Sequence, residues 1–255
     1  MRSGKEYSRC VVAMSLYKPE VSMLTLAVES ILHQSYRDFL FVITVDGPLS
    51  RDCKLYLNSL EDNRLRLKYF QKNKGLASCL NWIVSNYSFE YLIRMDADDI
   101  SHLGRIKRSI DYLKYNPTCL VLSCNYTTID NQGNTIGQSC IPSKKTYLDQ
   151  SLKNGVNVIA HPGAVVRRSF FEMYKYDESI RRGQDLDIWI RAWKELGPEI
   201  FYILPDVLLY YRVHSAATTQ RRESFLNLWK RGLSLLLPCF VIKSFKIIKV
   251  MVWKG

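Results

Sequence analysis

The chain has 255 residues, of which 47% are hydrophobic and 24% charged, and its formal net charge is +12. These proportions exclude a disordered polar chain and are typical of a globular protein that buries a sizeable core without disulfide or metal staples. The basic residues are not gathered into an arm with interleaved aromatic residues, so we expect no nucleic-acid partner. The positive charge instead favours phosphate-bearing substrates or an anionic membrane surface.

The seven cysteines predict a reducing environment. Their number is odd, and no two of them show Cys-x-x-Cys spacing. Because several lie within apolar runs, we interpret them as buried reduced thiols, which favours a cytoplasmic protein. The first apolar stretch, Cys10 to Leu16, is shorter than the core of a signal peptide, so no leader is expected.

Short apolar runs alternate with helix-period segments through the first half of the chain, as in an α/β protein with a parallel sheet. Each predicted helix follows a predicted strand, and the first helix opens at Pro19 and Glu20. The four predicted strands of this half are Cys10–Leu16, Phe39–Val45, Leu65–Phe70 and Tyr91–Met95.

The second half is less regular. Its pattern predicts a hairpin turn at Asn131 to Gly133 and a helix from Leu186 to Leu196. No linker separates the halves, so we predict one Rossmann-like α/β/α sandwich over residues 1–220, with a mostly parallel central sheet. The predicted strands of this half are Leu120–Ile129, Gly163–Arg167 and Val207–Val213.

An acidic cluster, Asp96-Ala97-Asp98-Asp99, directly follows the fourth predicted strand. Three carboxylates in four residues repel one another, and that cost is tolerated where a cation lies among them. Hard oxygen ligands suit Mg²⁺ or Mn²⁺. The alternative is a solvated acidic turn that caps the following helix. Asp46 ends the second strand, and ligands bind parallel sheets at the carboxyl ends of the strands.

The acidic cluster is one of a series of motifs in a fixed order along the chain. Over roughly Cys10 to Thr219 this order and these spacings resemble the family 2 glycosyltransferases, whose fold is called GT-A, and such a series is more specific than any single motif. The other members of the series are Asp46-Gly47, Asn73-Lys74-Gly75, His161-Pro162-Gly163, Gly183-Gln184-Asp185 and Arg212-Val213-His214.

The resemblance implies a GT-A fold over residues 1–220, with a nucleotide-sugar-binding half at 1–115 and an acceptor-facing half at 116–220. It implies an inverting hexosyl- or hexosaminyltransferase that moves a sugar from a nucleotide diphosphate donor, a UDP-sugar, to an acceptor hydroxyl. A glycan or a lipid-linked molecule is the expected acceptor, and the expected role lies in the biosynthesis of a surface polysaccharide or similar glycan.

The resemblance also assigns residues to the nucleotide. Ser15 and Tyr17 match positions beside the base, and Asp46 matches the acid that hydrogen-bonds the uracil. Many relatives carry two acids before the following glycine, whereas this chain has Val45 at the first position. The choice of nucleotide therefore depends on Asp46.

Metal binding and catalysis are assigned in the same way. Asp96 and Asp98 match the D-x-D pair, with Asp98 the direct ligand of Mn²⁺ or Mg²⁺ and Asp96 nearer the ribose. His214 matches a position that joins the metal or the diphosphate, and Asp185 matches the catalytic base. These roles agree with the chemistry, because a divalent cation neutralises charge on the leaving diphosphate and a carboxylate takes the proton of the acceptor hydroxyl.

The tail over residues 221–255 has a different composition. Its longest apolar run, Leu233 to Ile242, is too short to span a bilayer. Lysines then recur at helical spacing among apolar residues, which predicts a basic amphipathic helix lying on an anionic membrane surface. The protein would then be peripheral at the inner face of the membrane. The alternative is a terminal helix packed on the domain.

Two other functions compete with sugar transfer. A sugar-nucleotide pyrophosphorylase would be expected to carry a glycine-rich phosphate loop with lysine and arginine after the first strand, where this chain has Leu16 to Glu20. A catalytically idle, membrane-associated module that binds nucleotide sugars is the second alternative. The presence of both Asp98 and Asp185 argues against idleness.

Overall fold

The structure is a computed structural model that describes residues 5–213. His214 and the predicted helical tail over residues 221–255 lie outside the described residues. The described strands are β1 (Glu6–Tyr7), β2 (Cys10–Leu16), β3 (Leu40–Asp46), β4 (Leu65–Phe70), β5 (Tyr87–Ser88), β6 (Tyr91–Met95), β7 (Ile100–Ser101), β8 (Val121–Ile129), β9 (Thr135–Gln138), β10 (Val165–Arg167) and β11 (Phe201–Arg212). The helices are α1 (Val21–Leu32), α2 (Arg51–Ser59), α3 (Leu76–Asn86), α4 (Arg105–Tyr115), α5 (Lys145–Lys153), α6 (Arg168–Met173) and α7 (Gln184–Leu196).

Over residues 5–213 the central sheet has nine strands, in the order β4-β3-β2-β6-β10-β8-β11-β7, with β9 paired to β8. Strands β4, β3, β2 and β6 are parallel, as the strand–helix alternation of the first half predicts. In the second half β10 runs antiparallel to both β6 and β8, whereas β11 is parallel to β8. The first half of the chain therefore forms a parallel part of the sheet, and the second half forms a mixed part.

Both faces of the sheet are covered by helices. In β2, Val12 and Met14 face a layer that contains α1, α2 and α4, whereas Val11 and Ala13 face a layer that contains α3, α5, α6 and α7. Successive side chains of a strand point to opposite faces, so a strand buried on both sides has a continuous apolar sequence. This arrangement confirms the predicted α/β/α sandwich.

The strands of the first half begin and end within one residue of their predicted bounds. The last strand is longer than predicted, because β11 begins at Phe201 and passes through an irregularity between Leu204 and Val207. Pro205 lies at this point and has no N–H to donate to a neighbouring strand. A proline normally argues against a strand, so the sequence predicted the strand only from Val207 onward although β11 continues through Pro205.

Of the six cysteines within the described residues, five are buried free thiols, in agreement with the predicted buried reduced thiols. Cys140 is the exposed one. Within residues 5–213 every helix is too short or too polar to cross a bilayer.

Candidate active site

The predicted nucleotide residues meet at one edge of the sheet. Strands β3, β2 and β6 are adjacent and parallel, so their carboxyl ends lie side by side. A cavity of about 680 Å³ opens there. The predicted residues among its lining are Ser15, Tyr17, Asp46, Asp96 and Asp98.

Asp46 is held by the turn that precedes α3. Its side chain is buried, and its Oδ1 accepts a hydrogen bond from the backbone N–H of Lys74 at 2.6 Å. Its Oδ2 accepts from the N–H of Gly75 at 2.9 Å and from Nδ2 of Asn73 at 2.8 Å. Gly75 has φ +93°, in the left-handed region that favours glycine. The Asn-x-Gly motif therefore fixes the orientation of one carboxylate.

Tyr17 provides an aromatic surface at the mouth of the cavity. It is 56% exposed, and Nζ of Lys18 lies 5.4 Å from the centroid of its ring. Lys18 has φ +48°, which is unusual for a residue with a side chain and marks a sharp turn directly after β2. An exposed aromatic face beside a polar cavity suits stacking with a planar ligand.

The guanidinium of Arg94 is the cation that lies beside Asp96, the first aspartate of the acidic cluster. Arg94, in β6, is fully buried, and its guanidinium donates to the carboxylate of Asp96. It also donates to the backbone oxygens of Ala13 at 2.9 Å and Met95 at 2.8 Å. Burial raises the pKa of Asp96, the Arg94 charge opposes that rise, and the charges of Asp98 and Asp185 add to it.

Asp99 has a structural role in the last strand. It is 1% exposed, and its Oδ1 accepts from the backbone N–H of Arg212 at 2.7 Å. Burial, followed by the charges of Asp96 and Asp98, raises the pKa of Asp99 well above its usual range. The helix that follows is α4, and its N-cap is Gly104, without a hydrogen bond from any capping side chain. The alternative that the acidic cluster is a turn capping this helix is therefore wrong.

Three arginines offset the charge of the three aspartates. Arg94, Arg105 and Arg212 are all buried, and Nε of Arg212 donates to the backbone oxygen of Asp98 at 2.8 Å. Repulsion among the aspartates therefore does not by itself require a metal ion. The sequence argument missed this compensation because the arginines are far from one another along the chain.

Two aspartates of the acidic cluster, Asp96 and Asp98, are candidate ligands for a divalent cation. Among residues 5–213 no group of three or more His, Cys, Asp or Glu side chains is placed to hold a metal ion. Asp96 and Asp98 offer two hard carboxylates on the wall of one cavity. Burial raises the pKa of Asp96 most, Arg94 lowers it, and the charge of Asp98 raises it further, so the two carboxylates interact. This pair fits Mg²⁺ or Mn²⁺, which commonly takes one or two carboxylates together with substrate phosphate oxygens.

Asp185 lies in the first turn of α7, after Gly183, whose φ is +73°. Its Oδ2 accepts a hydrogen bond from Nδ2 of Asn157 at 2.6 Å. Asp185 is half-buried. Burial is the main cause of the raised pKa of Asp96, and the charge of Asp185 contributes to it after the charges of Arg94 and Asp98, which indicates that the two carboxylates are near one another.

A buried polar pair lies behind these carboxylates. His161 is 7% exposed, and its Nε2 lies 2.9 Å from the hydroxyl of Tyr176. Burial, together with the charge of Arg94, lowers the pKa of His161 well below its usual range, so the imidazole is neutral. The histidine of the His-Pro-Gly motif is thus a core residue that packs against Tyr176 and Trp189.

Sequence reasoning missed Asn157 because it lies in an exposed loop and belongs to no recognisable motif. It also left Arg181 unassigned, although that residue lines the cavity beside Gly75. Their contacts depend on chain segments that approach one another only in the folded protein.

The fold and the acidic cavity define a GT-A glycosyltransferase, and comparison with known proteins agrees. Residues 12–174 match the model of glycosyl transferase family 2. An uncharacterized glycosyltransferase of Methanocaldococcus jannaschii, MJ1057, is 28% identical over 225 residues, which cover 86% of this chain and 74% of that protein. The O-antigen biosynthesis glycosyltransferase WbnJ of Escherichia coli is 25% identical over 224 residues and 86% of each chain. The protein belongs to glycosyl transferase family 2.

A solved structure supports the fold. The crystal structure of S. aureus TarS 1-349 in complex with UDP-GlcNAc superposes with a TM-score of 0.66 at 16% sequence identity. The match covers 84% of this chain and 61% of that one, so the protein spans about three fifths of the TarS fragment.

Proposed function

We propose that this glycosyltransferase moves a sugar from a UDP-sugar to an acceptor hydroxyl with inversion at the anomeric carbon. The observation that carries the proposal is the convergence of Asp46, Asp96 and Asp98 on one cavity, with Asp185 close to Asp96. The UDP-GlcNAc complex of TarS supports a uridine nucleotide, since that protein shares the fold.

Hydrogen-bond capacity at Asp46 supports a uracil base. Oδ2 of Asp46 accepts from Asn73 and Gly75, Oδ1 accepts from Lys74, and the thiol of Cys79 is a further hydrogen-bond partner of this carboxylate. Oδ1 accepts only one backbone hydrogen bond, so it is the oxygen that we expect to accept a ring N–H such as the imide N–H of uracil. Val45 is buried, so Asp46 is the acid that recognises the base here.

Asp96 and Asp98 would hold the divalent cation, together with His214 as the third protein ligand. When bound, Mn²⁺ or Mg²⁺ neutralises the negative charge that builds on the diphosphate oxygens as the sugar bond breaks. Arg94 holds Asp96 in place for this role, because it donates to that carboxylate from the buried side.

Asp185 acts as the general base. It takes the proton of the acceptor hydroxyl, whose oxygen attacks the anomeric carbon from the face opposite the leaving nucleoside diphosphate, and this single displacement inverts the configuration. The hydrogen bond from Asn157 occupies Oδ2 and leaves Oδ1 for the proton. General-base catalysis of this kind contributes roughly 10²–10⁴ in rate.

The donor is tested by a screen of nucleotide sugars with Mn²⁺. We expect release of UDP from UDP-sugars, and we expect Asp46→Asn to weaken UDP binding roughly tenfold or more, because the charged carboxylate that accepts the base N–H becomes a neutral amide with a single acceptor oxygen. Asp52→Asn is the matched control, since that residue is exposed in α2. Release of pyrophosphate from UTP would instead identify a pyrophosphorylase. Binding of a nucleotide sugar without turnover would identify a catalytically idle binding module.

Asn157→Ala is expected to lower kcat about tenfold with little change in the KM for the donor. The variant removes one charge-assisted hydrogen bond that orients the base, and such bonds contribute about 1.5–3 kcal/mol. Steady-state kinetics measure both constants. Asn154→Ala, a change in the same exposed loop with a bond to the backbone of Gln150, should leave them unchanged. A fall in kcat equal to that of the control would remove Asn157 from this role.

We also propose that residues 1–220 form the catalytic domain and that residues 221–255 attach it to the inner face of a membrane. The acceptor would then be a glycan or a lipid-linked molecule in surface polysaccharide biosynthesis. The similarity to WbnJ, an O-antigen biosynthesis glycosyltransferase, supports this role. The lysines at helical spacing in the tail support attachment to anionic lipids.

Deletion of residues 221–255 is expected to abolish sedimentation with vesicles that contain anionic lipid, because each lysine or arginine near such a surface contributes about 1 kcal/mol. The full chain should sediment with these vesicles at low salt and less at high salt, and not with neutral vesicles. Sedimentation of the truncated protein with anionic vesicles would contradict attachment through the tail.

A further inference from the structure

The cavity of the candidate active site extends along the edge of the sheet beyond the acidic cluster. Strand β8 is antiparallel to β10, which is antiparallel to β6, so β8 and β6 are parallel and end at the same edge. Along this edge the strands lie in the order β3, β2, β6, β10 and β8. Asn131 follows β8 in the turn that leads to β9, and it lines the cavity together with Asp46, the last residue of β3.

The acidic cluster lies between these two parts of the cavity. Asp96 and Asp98 follow β6, which is between β3 and β8 in the sheet. A nucleotide sugar has its base, ribose, diphosphate and sugar in a linear order. With the base at Asp46 and the diphosphate at Asp96 and Asp98, the transferred sugar lies on the side of the diphosphate away from Asp46. Asn131 lies on that side.

Arg212 joins the turn that carries Asn131 to the acidic cluster. Its Nε donates to the backbone oxygen of Asp98 at 2.8 Å, and its Nη1 donates to those of Asp130 at 2.7 Å and Asn131 at 3.2 Å. The two backbone segments therefore lie on either side of one guanidinium, and Asp98 and Asn131 both line the same cavity. Arg212 is buried, so its contacts are shielded from water.

The turn is also fixed from within. Oδ1 of Asp130 accepts hydrogen bonds from the backbone N–H of Gln132 at 2.9 Å and from that of Asn134 at 2.8 Å. Gly133 has φ +89°, in the region that favours glycine. A turn held in this way keeps the backbone of Asn131 in one place at the wall of the cavity.

The side chain of Asn131 suits a sugar hydroxyl. Asn131 is exposed, and within residues 5–213 the hydrogen bond that it forms uses its backbone oxygen, so its amide group is available to a ligand. The amide has one acceptor oxygen and two N–H donors. A hydroxyl both donates and accepts hydrogen bonds, so either end of the amide can pair with it.

We propose that Asn131 hydrogen-bonds the transferred sugar of the donor and so contributes to the choice of that sugar. The proposal combines the position of the residue beyond the acidic cluster, its attachment to the Asp98 segment through Arg212 and its available amide. It rests on the proposed function, because it requires the nucleotide to lie between Asp46 and Asp98. The loss of the amide should therefore affect a UDP-sugar and not UDP.

The test compares UDP with the UDP-sugar that is turned over fastest in the donor screen, by calorimetric titration with Mn²⁺ and without acceptor. Asn131→Ala should weaken binding of the UDP-sugar about fivefold, because one hydrogen bond between neutral groups is lost, and leave the affinity for UDP within about twofold. Gln132→Ala is the matched control, since Gln132 is exposed in the same turn, and it should leave both affinities unchanged. Thermal unfolding of each variant checks that the fold is intact.

Two results would overturn the assignment while the proposed function stands. Unchanged affinity of Asn131→Ala for the UDP-sugar would remove the residue from the sugar site. An equal loss for UDP and the UDP-sugar would assign Asn131 to the diphosphate or to the shape of the turn. If the wild type bound neither UDP nor any UDP-sugar of the screen, the proposed function would be wrong and this assignment with it.

Discussion

Replacement of Asp185 by asparagine is expected to lower kcat by roughly 10²–10⁴ while the affinity for UDP stays unchanged. The substitution keeps the size of the side chain and its place in the first turn of α7, but asparagine cannot take a proton from the acceptor. Nucleotide recognition is assigned to Asp46 and Tyr17, which belong to other elements, so it should be unaffected. Kinetics with the best UDP-sugar measure the first effect, and calorimetry with UDP measures the second.

The helix provides its own control. Asp187 lies two residues further along α7 and forms a salt bridge with Arg191 at 2.9 Å. Asp187→Asn removes the same charge from the same helix end, and we expect kcat to stay within about twofold because exposed ion pairs contribute little. If Asp185→Asn retained the turnover of Asp187→Asn, a different residue would have to be the base.

Arg94→Met is expected to lower the free energy of unfolding by roughly 3–5 kcal/mol, since the removal of one partner leaves an uncompensated charge at Asp96 in partly buried surroundings. Two backbone oxygens, those of Ala13 and Met95, would also lose their bonds to the guanidinium. This is a large share of the 5–15 kcal/mol that stabilises a typical protein. Urea unfolding followed by circular dichroism measures the change.

A double variant separates the effect of the uncompensated Asp96 charge from that of the lost hydrogen bonds to the backbone oxygens. Arg94→Met combined with Asp96→Asn removes both charges, so it should be more stable than Arg94→Met alone. Arg108→Met is the exposed control, because Arg108 is 64% exposed in its contact with Asp206 and should contribute less than about 1 kcal/mol. An Arg94→Met variant as stable as this control would mean that the buried guanidinium does not stabilise the acidic cluster.

The first half of the fold was predictable because its strands β2, β3 and β6 are buried on both faces. In β2 the residues Val11 to Met14 form an unbroken apolar run, and parallel strands of this kind are typical of α/β sheets. Two elements that the sequence pattern missed or predicted only in part are short or interrupted. Helix α6 has six residues, and β11 carries Pro205 in its interior. Neither gives a long periodic signal.

The site was predictable to the extent that it depends on strand ends. Asp46 ends β3 and Asp96 follows β6, and these parallel strands lie on either side of β2, so both aspartates lie at the same edge of the sheet. Arg94 was not predictable, because an arginine in the middle of a strand gives no sign that it will be buried against a carboxylate two residues away. Arg181 likewise acquires its place through a contact with Lys74 that spans 107 residues of sequence.

The hydrogen bonds from Arg212 to the acidic cluster have a consequence for biosynthesis. They join residues 113 and 114 positions apart, and Arg212 is the last residue of β11. During translation the aspartates therefore leave the ribosome long before the strand that fixes them, and pairings of such long range form late. A nascent chain whose first four parallel strands have already folded still lacks the strand that holds Asp98 and Asp99, so the acidic cluster is complete only after Arg212 has been synthesised.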